Sequence, residues 1–234
     1  MHPTTALALP ANALQARPVP AGLELTVMVA CFKGGTGKTT TCWFLLNELA
    51  NRGYRPLGVD ADKTSQSLHQ HYRKALDRGE QVPFQVISWP EPTGMIPGIT
   101  QAVTDYRANA LVVDIGGASV TNFHRAGQLC DELLIPLAPT ELDMDRLPAT
   151  MAEAAAVDEL YPLNVSVLLV KTKAAANDAR IARRDLAALE LPVLDTEIPD
   201  GVFYGRGPGY VWDDTGRYAD VVGEVYPAAR KAAA

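Results

Sequence analysis

The chain is short of cysteine, short of aromatics and without a long apolar run. Its three cysteines, Cys31, Cys42 and Cys130, are odd in number and include no CxxC pair. Neither a zinc site nor an iron–sulfur cluster is expected from them, and reduced thiols in a cytoplasm are the simpler reading. No apolar stretch approaches the roughly 20 residues that span a bilayer, so no membrane partner is expected. Positive charge is also scarce: 21 Lys and Arg stand against 27 Asp and Glu, a net charge of -6. That excludes a surface that is basic all over but leaves room for a local basic patch. The first residues have no basic stretch before their apolar part, which Pro3 and Pro10 interrupt, so a secretory leader is not expected either.

What is present suffices for a buried core, with 47% of the 234 residues apolar. Four prolines fall among the first twenty residues, and residues 1–22 are expected to form a flexible arm before one domain over 23–234. Short apolar runs, rich in β-branched residues, predict strands at 24–32, 56–62, 84–89, 110–117, 131–139, 165–172 and 192–199. Helical spacing predicts helices over 39–53, 65–79, 143–160, 177–190 and 216–232. Pro148 marks a start or a kink in the third of these, and Gly223 and Pro227 weaken the last. Strands apolar on both faces, alternating with helices, imply an α/β fold, a mostly parallel sheet of about seven strands covered on both sides. Such sheets bind ligands at the C-terminal ends of their strands. The glycine- and aromatic-rich segment FYGRGPGYVWDD (203–214) reads as a partner loop or, more simply, as a packed connection.

The unusual residues sit at those strand ends. CFKGGTGKTT (31–40) nearly fits the phosphate-binding loop G-x-x-x-x-G-K-[ST], except that Phe32 stands at the first glycine position and a second lysine, Lys33, follows it. Gly34, Gly35 and Gly37 allow the backbone, with that of Thr36, to curl its N–H groups around phosphate oxygens at a helix start. Lys38 then reaches the terminal phosphates, the Thr39 hydroxyl binds Mg²⁺, and Thr40 adds a phosphate contact. Asp114 closes the apolar strand LVVD and is the expected second support of the metal, with Gly116 and Gly117 beyond it. Where GTPases carry an NKxD aspartate, VKTKAA (170–175) places Ala175. ATP is therefore favoured over GTP.

KGGTGKTT resembles the deviant Walker A motif, K-G-G-x-x-K-[ST], of the ParA/MinD ATPase family, a class of P-loop NTPases. VDAD (59–62) resembles that family's D-x-D segment, although Lys63–Thr64 replace the usual Pro-Gln, and VVDIGG departs from the commoner D-x-P-P. ELLIPLAPTELD (132–143) and EIPD (197–200) are similar to the family's segments beside the nucleotide. The resemblance implies ATP and Mg²⁺ as cofactors, with Lys33 as the signature lysine that crosses a homodimer interface to the partner's ATP. It also implies that Asp62 positions the attacking water near the metal, with Asp60 in support, and that Pro199 lies near the adenine.

Within the family, the tail lacks the apolar area of a MinD-like membrane helix. Paired cysteines for a cluster carrier are missing, and so is the clustered tyrosine tail of a bacterial tyrosine kinase. The sequence is most like the short ParA-type partition ATPases, which bind DNA non-specifically as ATP dimers. A centromere-binding ParB-like partner stimulates their hydrolysis, and the expected location is cytoplasmic and nucleoid-associated. Arg180, Arg183 and Arg184 share a helix face, with Lys171 and Lys173 just before it. These five are candidates for following DNA phosphates, unless they form a solvated face paired to Asp178 and Asp185. A cargo-positioning scaffold without DNA binding and a dethiobiotin-synthetase-like metabolic enzyme are the alternatives.

Overall fold

The structure, a computed structural model, describes residues 17–117, 119–173 and 177–229. Its elements in chain order are β1 (Leu25–Val29), α1 (Lys38–Asn51), β2 (Pro56–Asp60), α2 (Ser67–Asp77), β3 (Gln85–Ser88), α3 (Met95–Tyr106), β4 (Ala110–Asp114), α4 (Val120–Gly127), β5 (Glu132–Leu137), α5 (Glu141–Met144), α6 (Leu147–Asp158), β6 (Asn164–Thr172), α7 (Asp178–Ala188), β7 (Val193–Pro199), α8 (Val202–Arg206) and α9 (Tyr218–Val225). The seven strands form one sheet in the order β3-β2-β4-β1-β5-β6-β7. Every pairing is parallel, so the expectation of a mostly parallel sheet is met in full.

Apolar residues alternate across β1: Val27 and Val29 face one layer, and Met28 faces the other. The first layer contains α1, α2 and α9, and the second contains α3, α4, α6 and α7. Because α1 is buried nearly all round, from Thr41 to Leu49, it is apolar on more than one face. Phe44 stacks on Tyr218 of α9 with ring centroids 5.0 Å apart. Burial of a side chain as large as Phe44 contributes about 1.5–3 kcal/mol, and this packing fixes the helix that carries the glycine loop at its start.

Two helices, α3 and α4, occupy stretches where the spacing predicts no element. Pro97 and Gly98 interrupt the helical spacing of the first, yet Pro97 lies in the first helical turn, where its missing N–H costs no internal bond. The second is only eight residues long and starts at Ser119, whose side chain accepts from the Asn122 amide. Pro148 falls in the first turn of α6, so the predicted helix over 143–160 divides there into α5 and α6. Helix α9 stops at Val225, short of the predicted 232. Part of the expected N-terminal arm is docked: Arg17 donates to the carbonyls of Gly127 and Pro162, and residues 1–16 lie outside the described residues. Segment 203–214 packs on α1, with Trp43 Nε1 donating to the Tyr210 carbonyl at 2.8 Å and Asn51 Nδ2 to the Trp212 carbonyl at 2.9 Å.

Candidate functional site

The adjacent strands β1, β2 and β4 end together on one side of the sheet, Asp60 paired in register with Asp114 and Val29 with Asp114. Beyond β1 the chain turns through the glycine loop into α1. Gly35 and Gly37 hold φ of 76° and 89°, left-handed values that an L side chain adopts only at a cost. Helix α1 has no side-chain cap at Gly37, so its first N–H groups remain available to an anion. Phe32, at the missing glycine position, packs on Phe123 of α4 with centroids 5.4 Å apart. Its amide donates to Thr150 Oγ1 at 3.2 Å.

Three of the loop's side chains already have polar partners. Lys38 Nζ donates to the Lys33 carbonyl at 2.7 Å. Thr39 Oγ1 donates to Asp114 Oδ2 at 2.7 Å. Lys33 Nζ forms an ion pair with the buried Asp143 on α5, and Thr140 Oγ1 accepts from the Asp143 amide at 3.2 Å. Around these groups lies an open cavity of about 950 Å³, bordered by the whole glycine loop, Asp62, Arg146 and Lys171. A small apolar slot continues from it past Pro199, Tyr204 and Tyr218.

The carboxylates differ in setting. Asp114 is fully buried, and its pKa is pushed up to about 7 by burial and by the nearby Asp60 and Asp62, against the Thr39 hydrogen bond and the charge of Lys38. Burial also raises the pKa of Asp60, whose oxygens accept from the amides of Asp62 at 3.1 Å and His69 at 2.9 Å. Asp60 thus ties the start of α2 to the end of β2 and shapes the Asp62 loop. At Asp62 burial alone would raise the pKa, but hydrogen bonds from Ser65 and Thr64 outweigh it and the net shift is downward. Oδ2 accepts from Ser65 Oγ at 2.7 Å and Oδ1 from the Thr64 amide at 2.8 Å. A Cβ on Gly117 would stand 2.9 Å from the Lys33 backbone, and one on Gly116 would stand 2.7 Å from Asp62 Oδ1. The close approach of the Asp114 loop to both segments therefore requires glycine at these positions.

A magnesium ion with nucleotide phosphates fits this donor set. Mg²⁺ takes one or two protein oxygens and completes its shell with phosphate and water. Thr39 and Asp114 supply such oxygens side by side, whereas no cluster of three or more His, Cys, Asp or Glu that would cage a metal by itself occurs among the described residues. Thr36 Oγ1, in the loop, is buried without a hydrogen-bond partner among the described residues.

The five candidate DNA contacts do not form one face. Arg180 and Lys173 are exposed and border a second cavity of about 560 Å³ together with Arg183, Glu197 and Arg217. Arg183 is turned to the sheet edge, donating to the Leu194 carbonyl at 2.9 Å and to Glu197 at 3.0 Å. Arg184 pairs with the adjacent Asp185 at 2.8 Å, as the solvated-face reading expects. Lys171 lies before α7, as expected, but its Nζ donates to the Gly35 carbonyl at 2.6 Å, in the glycine-loop region. Ala175 lies outside the described residues. Sequence reasoning missed Asp143, Arg146 and Arg217, which belong to no motif; Asp143 closes a quoted segment, but nothing in its spacing points to Lys33.

No curated protein sequence matches this chain significantly. Among solved structures, cobyrinic acid a,c-diamide synthase from Mycobacterium smegmatis, with a bound ATP analog and magnesium, aligns at a TM-score of 0.67 and 17% identity over 90% of this chain and 99% of that one. A plasmid partition protein from Borrelia burgdorferi aligns at 0.64 and 12% identity, covering 86% of this chain and 99% of that one. Apo McdA from Cyanothece aligns at 0.64 and 16% identity, over 86% and 94% respectively. At such identities these likenesses establish the fold. The family model described as the CobQ/CobB/MinD/ParA nucleotide binding domain matches residues 27–206. By that match, which takes in the glycine loop, Asp60, Asp62, Asp114 and Pro199, the chain belongs to this family of nucleotide-binding domains.

Proposed function

We propose that the protein is a partition-type ATPase that binds ATP with Mg²⁺, dimerises on it, and in that state holds DNA without sequence preference. One observation supports the reading: of the two lysines in the loop, Lys38 donates to the loop's own backbone at the Lys33 carbonyl, whereas Lys33 pairs outside the loop with Asp143. A cation with no task at its own nucleotide is free to act on another subunit's.

The chain's own groups divide the work. Gly34 through Thr40 cradle the phosphates, and Lys38 gives up the Lys33 carbonyl for them. An ionised phosphate oxygen adds charge attraction to the hydrogen bond, which the neutral carbonyl does not offer, so the exchange is favourable. Thr39 and Asp114 would hold Mg²⁺, which when bound neutralises charge on the phosphate oxygens. Asp62, its carboxylate favoured by the Ser65 and Thr64 bonds, orients the attacking water, and Asp60 holds the Asp62 loop. The slot at Pro199 takes the adenine. Hydrolysis stimulated by a centromere-binding ParB-like partner, and a location on the nucleoid, follow from the same reading. Among the described residues no helix is long and apolar enough to cross a membrane.

Mixing the protein with ATP, Mg²⁺ and random-sequence duplex DNA tests this. The partition reading expects binding that requires ATP and weakens steeply with salt, because released counterions set the affinity. ATP-independent binding would contradict the ATP-dimer reading, and no binding at all would favour a scaffold without DNA or a metabolic enzyme of the dethiobiotin-synthetase kind.

A further inference from the structure

Strand β6 is irregular where it meets the site. Its register against β7 shifts between Val170 and Thr172, and the residue between them, Lys171, has φ 56°. A left-handed lysine within a strand costs on the order of 1 kcal/mol and persists only where surrounding structure holds it. A bulge inserts one residue and re-aims its side chain, and bulges gather beside active sites. Here the re-aimed ammonium reaches the phosphate loop, 2.6 Å from the Gly35 carbonyl. Lys171 also borders both the 950 Å³ cavity and the apolar slot. Of the four residues common to the two, Gly37, Thr40, Lys171 and Gly205, it is the one with a charge.

We infer that Lys171 is a nucleotide-binding residue of its own subunit. Its ammonium contacts the phosphate nearest the nucleoside, at the junction between the phosphate cradle and the base slot. Its ammonium donates to the Gly35 carbonyl; with nucleotide bound it exchanges that neutral carbonyl for an ionised phosphate oxygen, a stronger acceptor. This rests on the nucleotide-binding reading above and adds a third lysine to it. It also removes Lys171 from the DNA-following set, since its ammonium is committed to the loop rather than to the exposed face of α7.

The test is calorimetric titration of ADP into wild type, Lys171→Met and Lys171→Arg, with thermal melting of each protein free of nucleotide. Lys171→Met is expected to bind ADP about tenfold more weakly, the fold-change of one charge-assisted hydrogen bond. Lys171→Arg keeps the cation and is expected to stay within about threefold of wild type by the same reasoning, with melting of all three alike. Unchanged ADP affinity in Lys171→Met would overturn the inference. So would equal weakening in both variants, which would mean that the bulge, not the charge, matters. Failure of wild type itself to bind ADP would instead sink the nucleotide-binding reading, a separate outcome.

Discussion

The glycine-loop end of the sheet and the outer face of α7 both collect cations, but they hold them differently. At the loop, Lys33, Lys38 and Lys171 are each bonded to a group from the same region: Asp143, the Lys33 carbonyl and the Gly35 carbonyl. On the other face, Arg180 and Lys173 are exposed, while Arg183 and Arg184 are bound to groups on or beside their own helix. The first arrangement is preorganised. For Lys38 and Lys171 a polyanion need displace only a neutral carbonyl. In the second, Arg180 and Lys173 are solvated, so each phosphate they meet adds little beyond counterion release. Strong, geometry-dependent effects are expected at the first, and weak, salt-dependent ones at the second.

The largest expected effect lies at Asp62. Asp62→Ala should bind ATP and dimerise but hydrolyse at least about a hundredfold more slowly, the typical contribution of a positioned carboxylate. Phosphate release measured at saturating ATP checks this, and unchanged turnover would move water orientation to another residue. Next comes Lys38→Ala, expected to weaken ATP binding about a hundredfold, through two charge-assisted hydrogen bonds lost. If calorimetry gives wild-type affinity, the loop does not hold the phosphates as described.

A smaller effect concerns pH. The folded Asp114 carboxyl has a pKa raised to about 7, chiefly by burial, whereas an unfolded aspartate titrates near 3.9. Between those values the folded state binds the proton more tightly. The contribution of Asp114 to stability is therefore full at low pH, falls as pH rises from about 4 to about 7, and is flat above that. Without nucleotide or Mg²⁺, wild type should lose more thermal stability between pH 5 and 8 than Asp114→Asn. Parallel pH profiles for the two proteins would contradict the assignment. The smallest effect is at the outer face. Replacing Lys173 and Arg180 together by Ala should leave ATP affinity unchanged and reduce the log–log salt slope of DNA binding by up to about two units. An unchanged slope would put the DNA surface elsewhere and break the comparison on its weaker side.

The same contrast governs what could be read from the sequence. All seven strands were legible because each is a compact apolar run, and the loop was legible because its function constrains consecutive residues. Helices α3 and α4 were not, since Pro97 and Gly98 in one and the shortness of the other conceal a helical period that only packing against the sheet completes. At the site, Lys33 stood out by its place in the motif, but its partner Asp143 lies 110 residues away, and no local pattern joins them. Lys171 was read as a neighbour of α7 because it lies near it in sequence. The bulge that turns it toward Gly35 depends on the register of β6 against β7, which local spacing does not encode.

The central claim is that the second lysine acts between subunits. Lys33 is paired with Asp143, and the proposal is that it exchanges this partner for the phosphates of a partner's ATP. ATP can drive association only through contacts made better in the dimer than in the monomer. Size-exclusion chromatography with light scattering on Lys33→Ala, with and without ATP and Mg²⁺, tests this most directly. The predicted result is a variant that binds ATP and remains a monomer, where wild type becomes a dimer. A Lys33→Ala protein that dimerises with ATP as wild type does would contradict the account.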